Sequence, residues 1–309
     1  MEGRGRRVRR LPQQAAGRGP PGGGAPDAVR AGPAHAVNRR GPIEIDGRVA
    51  VVTGGGSGIG RALAEGLAQQ GARVVIADVD EPGMAATVEA IEKRGGRALA
   101  APTDVADAAQ VQALADRAWQ AFGGAHILCN NAGVALWGGL ESATLEDWRW
   151  VLGVNLWGVI HGVHAFVPRM IAQGQGGHVL NTASMAGLIA SQGLGVYNTS
   201  KYAVVGLSET LAKDLRPHGI GVSVLCPMGV ATRIRDSERG RPAHLRTAAA
   251  SRPEPVELIG RTLSPESVAA MAIDAIRDNR LYVITHEEGL EPLRRRFQRL
   301  EQAILSKKT

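Results

Sequence analysis

Short apolar runs alternate with longer amphipathic stretches along most of the chain. Seven runs, from RVAVVT near Arg48 to LYVIT near Tyr282, hold about four to six apolar residues each and end at turn-forming residues. They are too short for helices and are typical of strands. The stretches between them repeat apolar residues at helical spacing. They predict helices over 61–70, 82–94, 108–122, 145–172, 197–216 and 265–277.

The predicted strands are continuously apolar rather than alternating, which is typical of a parallel sheet buried on both faces. Strands that alternate with helices predict an α/β fold, a Rossmann-type doubly wound parallel sheet of about seven strands with helices on both faces. We expect one domain over 43–290. A substrate lid is expected over about 229–258, and a basic C-terminal helix over 291–309.

Charge is distributed unevenly between the first 42 residues and the rest. Residues 1–42 hold nine Arg, two acids, nine Gly, six Pro and no aromatic residue, and they predict a disordered basic tail. The remaining residues hold 27 basic and 27 acidic side chains and are neutral. Three interpretations of the tail stay open: a solvated segment, an upstream extension from a wrong start codon, or an arm that contacts nucleic acid.

Composition excludes several classes of protein. Two cysteines, Cys129 and Cys226, cannot form a disulfide framework or a cysteine-based zinc site, and they favour a cytoplasmic location. The apolar runs are too short to predict a membrane span. His161 and His164 share a helix face but lack a third ligand, so no metal site is expected.

A glycine-rich turn follows the first predicted strand and opens a helix. Glycine permits a tight turn and close approach of the backbone to a pyrophosphate, and the helix N-terminus offers free amides. Asp78 ends the second strand, 18 residues after Gly60. A carboxylate there binds ribose hydroxyls and repels a 2′-phosphate, so NAD is expected rather than NADP, although Arg61 leaves NADP open. The binding residues expected in this turn are Gly54, Ser57, Gly58, Ile59 and Gly60.

Four polar residues later in the chain form a second pattern: Asn155, Ser184, Tyr197 and Lys201. Ser184 precedes Tyr197 by 13 residues, and Lys201 follows it by four on the same helix face. An ammonium beside a tyrosine favours the phenolate, so we expect the pKa of Tyr197 to move from about 10 toward neutrality. Tyr197 can then exchange a proton with an alcohol or ketone oxygen that Ser184 positions.

Together with the glycine turn and Asn130-Asn131-Ala132-Gly133, these residues resemble the short-chain dehydrogenase/reductase family over about 46–282. The resemblance implies catalysis by Asn155, Ser184, Tyr197 and Lys201. It implies further cofactor contacts at Asp104, Val105, Asn131, Ala132, Gly133, Tyr197, Lys201, Pro227, Val230 and Thr232. Substrate would meet mostly apolar walls, which favours a hydrophobic secondary alcohol or ketone. These walls are expected to include Val134, Leu136, Trp137, Met185, Leu188 and Met228.

The resemblance also implies a homodimer or homotetramer, formed by the Tyr197 helix and the long helix that carries Trp148, Trp150 and Trp157. No membrane or nucleic-acid partner is expected. Two alternatives remain: an NADP-dependent ketoreductase, and a non-enzymatic NAD-binding scaffold whose basic tail binds nucleic acid. The lid arginines, including Arg241, are expected to be solvated, and the alternative is that they bind an acidic substrate.

Overall fold

The computed structural model describes residues 43–246 and 260–306. The disordered tail expected over 1–42, the lid residues 247–259 and the end of the chain, 307–309, lie outside the described residues. Seven parallel strands form one sheet in the order β3-β2-β1-β4-β5-β6-β7. They are β1 (Val49–Thr53), β2 (Arg73–Asp78), β3 (Arg97–Pro102), β4 (Ile127–Asn130), β5 (Gly177–Thr182), β6 (Ile220–Cys226) and β7 (Tyr282–Ile284). The α/β prediction is therefore confirmed.

Helices cover both faces of the sheet. They are α1 (Gly58–Gln69), α2 (Glu81–Glu92), α3 (Ala108–Phe122), α4 (Leu145–Leu152), α5 (Gly158–Gln173), α6 (Gly195–Asp214), α7 (Pro265–Asp278) and α8 (Leu290–Leu305). Successive residues of β1 enter different cores, because strand side chains alternate between faces. Ala50 and Val52 pack with α1 and α7, whereas Val51 packs with α3 and α5. The central strands are consequently buried on both sides.

One helical run joins α4 to α5 through a π-helical turn at Gly153–Trp157. It begins with a capping box, in which Thr144 accepts from the backbone of Asp147 and Asp147 accepts from the backbone of Thr144. The whole run, Leu145–Gln173, is long and apolar enough to cross a membrane by length and composition, contrary to the sequence expectation. Half of its most apolar window is buried inside the fold, as in a core helix of an α/β domain.

The winding direction reverses at β1. The chain proceeds from β1 to β2 and β3 on one side, then crosses to β4 on the other. Loops at the carboxyl ends of β1 and β4 therefore diverge and leave a crevice between them, the usual ligand position in such sheets. The Thr53 hydroxyl bridges them, accepting from the backbone amides of Asn131 at 2.9 Å and Ala132 at 3.1 Å.

Candidate active site

The turn after β1 depends on its glycines. Gly54 and Gly58 have φ values of 67° and 54°, which are unfavourable for residues with a side chain. A Cβ on Gly60 would collide with the carbonyl oxygen of Gly54. Ser57 is the N-cap residue of α1, but its side chain makes no capping hydrogen bond. The first-turn amides of α1 are therefore available to an anion.

Asp78 lies at the carboxyl end of β2, beside this turn. Its Oδ2 accepts from the Gly56 amide at 2.9 Å, and its Oδ1 accepts from the amides of Val79 and Asp80 at 2.8 and 3.0 Å. These bonds fix the carboxylate at the rim of the crevice. The structure thus brings Asp78 next to the glycine turn, as the sequence predicts.

A cavity of about 640 Å³ extends along the carboxyl ends of the strands. This volume lies within the range of small-molecule sites. Most of the predicted cofactor residues line it, and only Tyr197, Pro227 and Val230 do not. Those that do are Gly54, Ser57, Gly58, Ile59, Gly60, Asp78, Asp104, Val105, Asn131, Ala132, Gly133, Lys201 and Thr232. An open helix N-terminus, a glycine cradle and a carboxylate along one cavity fit a dinucleotide.

Asn155 lies in the π-helical turn and is completely buried. Its Oδ1 accepts from the Val134 amide at 2.8 Å. Its Nδ2 donates to the Val134 carbonyl at 2.9 Å and to the Ser200 hydroxyl at 3.0 Å. Asn155 therefore ties the loop after β4 to α6. Gly133 separates it from the lysine, since a Cβ there would lie 3.5 Å from both Asn155 Oδ1 and Lys201 Nζ.

Lys201 is buried on α6, one turn after Tyr197. Its Nζ donates to the Thr182 carbonyl at 2.9 Å, and it lies 5.6 Å from the centre of the Tyr197 ring. Burial lowers the pKa of this ammonium to about 8. The same face of α6 thus presents both side chains at the end of β5, as their spacing predicts.

The expected decrease in the pKa of Tyr197 is wrong for this structure. Burial raises the pKa of Tyr197 to about 12, and hydrogen bonding with Ser184 lowers it by a smaller amount. Ser184 follows β5; its hydroxyl donates to the Pro227 carbonyl at 3.3 Å and accepts from the Ala186 amide at 3.1 Å. Desolvation of the phenolate exceeds its stabilisation, because Tyr197 lies under apolar cover.

The lid supplies part of that cover. Ile234 and Trp137 pack against the cluster that contains Tyr197. The Ser237 hydroxyl accepts from the Ala135 amide at 3.0 Å and donates to the Ile234 carbonyl at 2.6 Å. The described part of the lid, 229–246, is therefore closed over the tyrosine.

The predicted substrate walls fall into three groups. Val134 lines the cavity and packs against the cluster of Leu136, whereas Trp137 packs in the cluster of Tyr197. Leu136 is buried among residues of α4 and α6. The others, Met185, Leu188 and Met228, share a cluster with residues of α6 and β6. The closed lid therefore does not unite all six in one cavity within the described residues.

The expectation of a solvated lid is wrong for Arg241. Its side chain is fully buried, with Nη1 2.7 Å from Oδ1 of Asp147 and 3.3 Å from Oε1 of Glu238. Arg233 forms an exposed ion pair of 3.0 Å with Asp80, across the mouth of the cavity. These two arginines bind carboxylates of the protein itself.

Sequence reasoning missed several residues that shape the site. Ser237, Arg149 and Trp150 line the cavity or hold the lid. His286 bonds to the carbonyls of both lid stems, at Gly229 and Arg261. The family resemblance places Trp150, three residues before the π-helical turn, only on a helix of the implied dimer interface. A lone arginine, serine or histidine in a polar segment gives no periodic signal, so these contacts were not accessible from the sequence pattern.

Comparison with known proteins identifies the family. A family model described as short chain dehydrogenase matches residues 48–242. A C alpha-dehydrogenase of Sphingobium sp. is 35% identical over 263 residues, which cover 83% of this chain and 86% of that protein. A 1-deoxy-11-beta-hydroxypentalenate dehydrogenase of Streptomyces avermitilis is 37% identical over 247 residues, which cover 78% of this chain and 85% of that protein.

Solved structures agree with this result. The crystal structure of a short-chain dehydrogenase/reductase from Burkholderia phymatum in complex with NAD matches with a TM-score of 0.79. It is 44% identical and covers 84% of this chain and 96% of that one. The chain is therefore an oxidoreductase that belongs to the short-chain dehydrogenase/reductase family.

Proposed function

We propose that this enzyme interconverts a hydrophobic secondary alcohol and its ketone with NAD as cofactor. One observation carries the proposal: the glycine turn, Asp78 and Lys201 line one crevice at the carboxyl ends of the strands, and Tyr197 lies one helical turn before Lys201, beneath the lid. A dinucleotide site and a proton-exchanging tyrosine next to it are the two parts that this reaction requires.

Asp78 supports NAD over NADP. Three backbone amides hold its carboxylate at the rim of the cavity, on the strand next to the glycine turn. A fixed negative charge accepts hydrogen bonds from ribose hydroxyls and repels a 2′-phosphate. The Burkholderia phymatum structure, which is a complex with NAD, is consistent with this preference. The other contacts to NAD would come from the amides of α1, Asp104 and Val105 at the adenine, and Thr232.

In the proposed mechanism, bound NAD supplies the hydride acceptor, and NADH the hydride donor. Tyr197 transfers the proton. With a pKa raised to about 12 by burial, its hydroxyl is protonated at neutral pH and is suited to donate to a carbonyl oxygen during ketone reduction. Ser184 holds the same oxygen, and the Lys201 ammonium stabilises the phenolate that remains. Alcohol oxidation runs these steps in reverse.

The pocket walls favour an apolar substrate. Ile234, Trp137 and Leu194 surround Tyr197, and none of them carries a charge. The lid must open to admit the substrate, because Tyr197 is covered in this structure. Closure over the bound substrate would exclude water from the hydride-transfer step.

Two further properties belong to the same proposal. Trp157 is half-exposed at the start of α5, and α6 presents the uncovered Gly206, so both helices offer a face for a homodimer or homotetramer. Cys129 and Cys226 are free and buried, which supports a cytoplasmic location.

Turnover followed at 340 nm tests the proposal directly. Purified enzyme would be assayed with NAD and NADP against cyclic, steroid-like, sugar and hydroxyacyl alcohols. We expect NAD-dependent oxidation of the apolar members, and a loss of about a thousandfold in kcat for Tyr197→Phe, the usual scale of general acid–base catalysis. Near-full turnover of Tyr197→Phe would refute the mechanism. NAD binding without turnover of any alcohol would refute the proposed substrate class.

A further inference from the structure

The C-terminal helix α8 exposes a stripe of large apolar side chains. Leu290, Phe297, Leu300, Ile304 and Leu305 are between 48% and 70% exposed, and no residue of α8 is fully buried. Together with the half-buried Leu293, positions 290, 293, 297, 300 and 304 are spaced alternately by three and four residues. This spacing is the a/d pattern by which two helices pack side by side.

The body of the protein leaves most of this stripe uncovered. Within the described residues, α8 meets the rest of the fold near its first half, where Leu293 is half-buried and the Arg296 guanidinium stacks 5.4 Å from the centre of the Tyr202 ring. Phe297, Leu300 and Ile304 extend beyond that contact. Single exposed apolar residues are ordinary, but a row of them on one helix marks an interaction surface.

The charges along the stripe are self-complementary. Arg294 and Glu301 lie on the same edge of it, seven residues apart, so this edge is positive in its first half and negative in its second. Arg294 also lies 3.7 Å from Glu291 in the same helix, and the other edge carries Arg296. If two copies of α8 pack antiparallel about a two-fold axis, Phe297 meets Leu300 of the second copy, and Leu293 meets Ile304 of that copy. Arg294 then faces Glu301 of the second copy, and symmetry produces each of these contacts twice.

We propose that α8 pairs antiparallel with the α8 of a second copy of this chain. The facing Arg294–Glu301 pairs favour a second copy of α8 as the occupant; because the helix also carries Arg295, Arg296 and Arg299, an anionic lipid surface is the competing occupant that the experiment below distinguishes. A 16-residue helix is about 24 Å long, so the pair spans two heptads. The pairing joins chains through a surface that contains no part of the candidate active site.

Molar mass in solution tests the pairing. Light scattering and sedimentation velocity would compare the full chain with the double variant Phe297→Glu/Leu300→Glu. We expect the molar mass of the assembly to halve, because we place the α8 pair about a different two-fold axis from the dimer proposed through α5 and α6. Gln302→Glu is the matched control: it adds an acid on the opposite face of the same helix and should leave the mass unchanged. NADH binding, followed by fluorescence, verifies that each variant is folded.

A charge exchange tests the antiparallel register. Arg294→Glu and Glu301→Arg should each weaken association about tenfold, because two facing pairs become repulsive, and the double exchange should restore it. An unchanged mass for the Phe297→Glu/Leu300→Glu variant, or no restoration by the double exchange, would overturn the proposal. A lipid-binding role would also overturn it. In that case the monomeric chain would cosediment with phosphatidylglycerol vesicles, and the Phe297→Glu/Leu300→Glu substitutions would abolish this cosedimentation.

Discussion

Arg241 and Asp147 form a buried ion pair, with 2.7 Å between Nη1 and Oδ1, that joins the lid to the first turn of α4. The guanidinium also donates from Nε to the Leu245 carbonyl at 2.7 Å and lies 4.9 Å from the centre of the Trp150 ring. Burial of a charged pair is favourable only when such additional bonds satisfy it. The closed lid is therefore held by a charged anchor, in addition to the apolar contact of Ile234 with the cluster of Tyr197.

Removing the charge of Asp147 should loosen the lid without unfolding the domain. Asp147→Asn keeps an oxygen that can accept from the Thr144 amide in the capping box, but it leaves Arg241 without its nearest carboxylate. We expect backbone amides of 233–246 to exchange with deuterium at least tenfold faster, because a broken buried pair destabilises the contact it held by about 3–5 kcal/mol. Hydrogen exchange with mass spectrometry measures this.

The control for this experiment is Glu146→Gln, which removes a carboxylate beside Asp147 that pairs with Arg149 at the surface. Exchange in the lid should not change in this variant. Equal acceleration across β1, β4 and β5 in Asp147→Asn would mean that the pair stabilises the whole domain, and the lid-anchor interpretation would fail.

His286 connects the two stems of the lid. Its Nε2 lies 3.1 Å from the Gly229 carbonyl and 3.0 Å from the Arg261 carbonyl, and since carbonyls only accept, Nε2 carries the hydrogen. We expect His286→Phe to raise the KM for NAD about tenfold with a smaller change in kcat, because the carbonyls of Gly229 and Arg261 lose their shared donor and the Thr232 segment is released. His286→Gln retains an amide donor, so its KM for NAD should rise less than that of His286→Phe. Equal KM values for NAD in the wild type and both variants would contradict this role of His286.

The fold was accessible from the sequence because its signals are local. Continuous apolar runs such as Val49–Thr53 predict buried parallel strands, and Gly54, Gly58 and Gly60 occupy positions where a side chain would strain or collide. Tyr197 and Lys201 lie on one helix, so their spacing alone predicted a shared face.

Contacts between distant segments were not accessible. The π-helical turn that aims Asn155 at Val134 has no distinct sequence pattern, and the expected long helix passed through it without a break. The burial of Tyr197 depends on Ile234, 37 positions later in the chain. The sequence therefore predicted that Lys201 lowers the pKa of Tyr197, whereas desolvation by burial raises it in the structure. Arg241 was misjudged for the same reason, since its partner lies on α4.

Lys201 should make the stability of the enzyme depend on pH above neutrality. Burial lowers its pKa to about 8, whereas the unfolded chain keeps this proton to about pH 10.4. Between these values the unfolded state binds more protons, so the free energy of unfolding should rise with pH by up to about 1.4 kcal/mol per unit. Cys129 and Cys226 oppose this rise above about pH 9, and Tyr197 above about pH 10, because burial raises the folded pKa of all three groups to about 12.

Urea denaturation of the wild type and of Lys201→Met between pH 7.5 and 10 measures this contribution. Methionine fills similar space without a charge, so the variant should be inactive and at least as stable as the wild type at pH 7.5. Its stability advantage should shrink as the pH approaches 10. Parallel curves for the two proteins would show that the Lys201 ammonium is not disfavoured by burial.

Asp78 should determine the choice between NAD and NADP. Asp78→Asn removes the negative charge but keeps an oxygen that can accept from the Gly56 amide, so the glycine turn stays in place. We expect the ratio of kcat/KM for NADP to that for NAD to rise about tenfold, which corresponds to about 1.4 kcal/mol. Asp104→Asn is the matched control, because it removes a carboxylate that lines the same cavity at the end of β3. That variant should change both kcat/KM values by the same factor. If both variants shift the ratio equally, selectivity arises from the overall charge of the crevice, and the specific role of Asp78 is wrong.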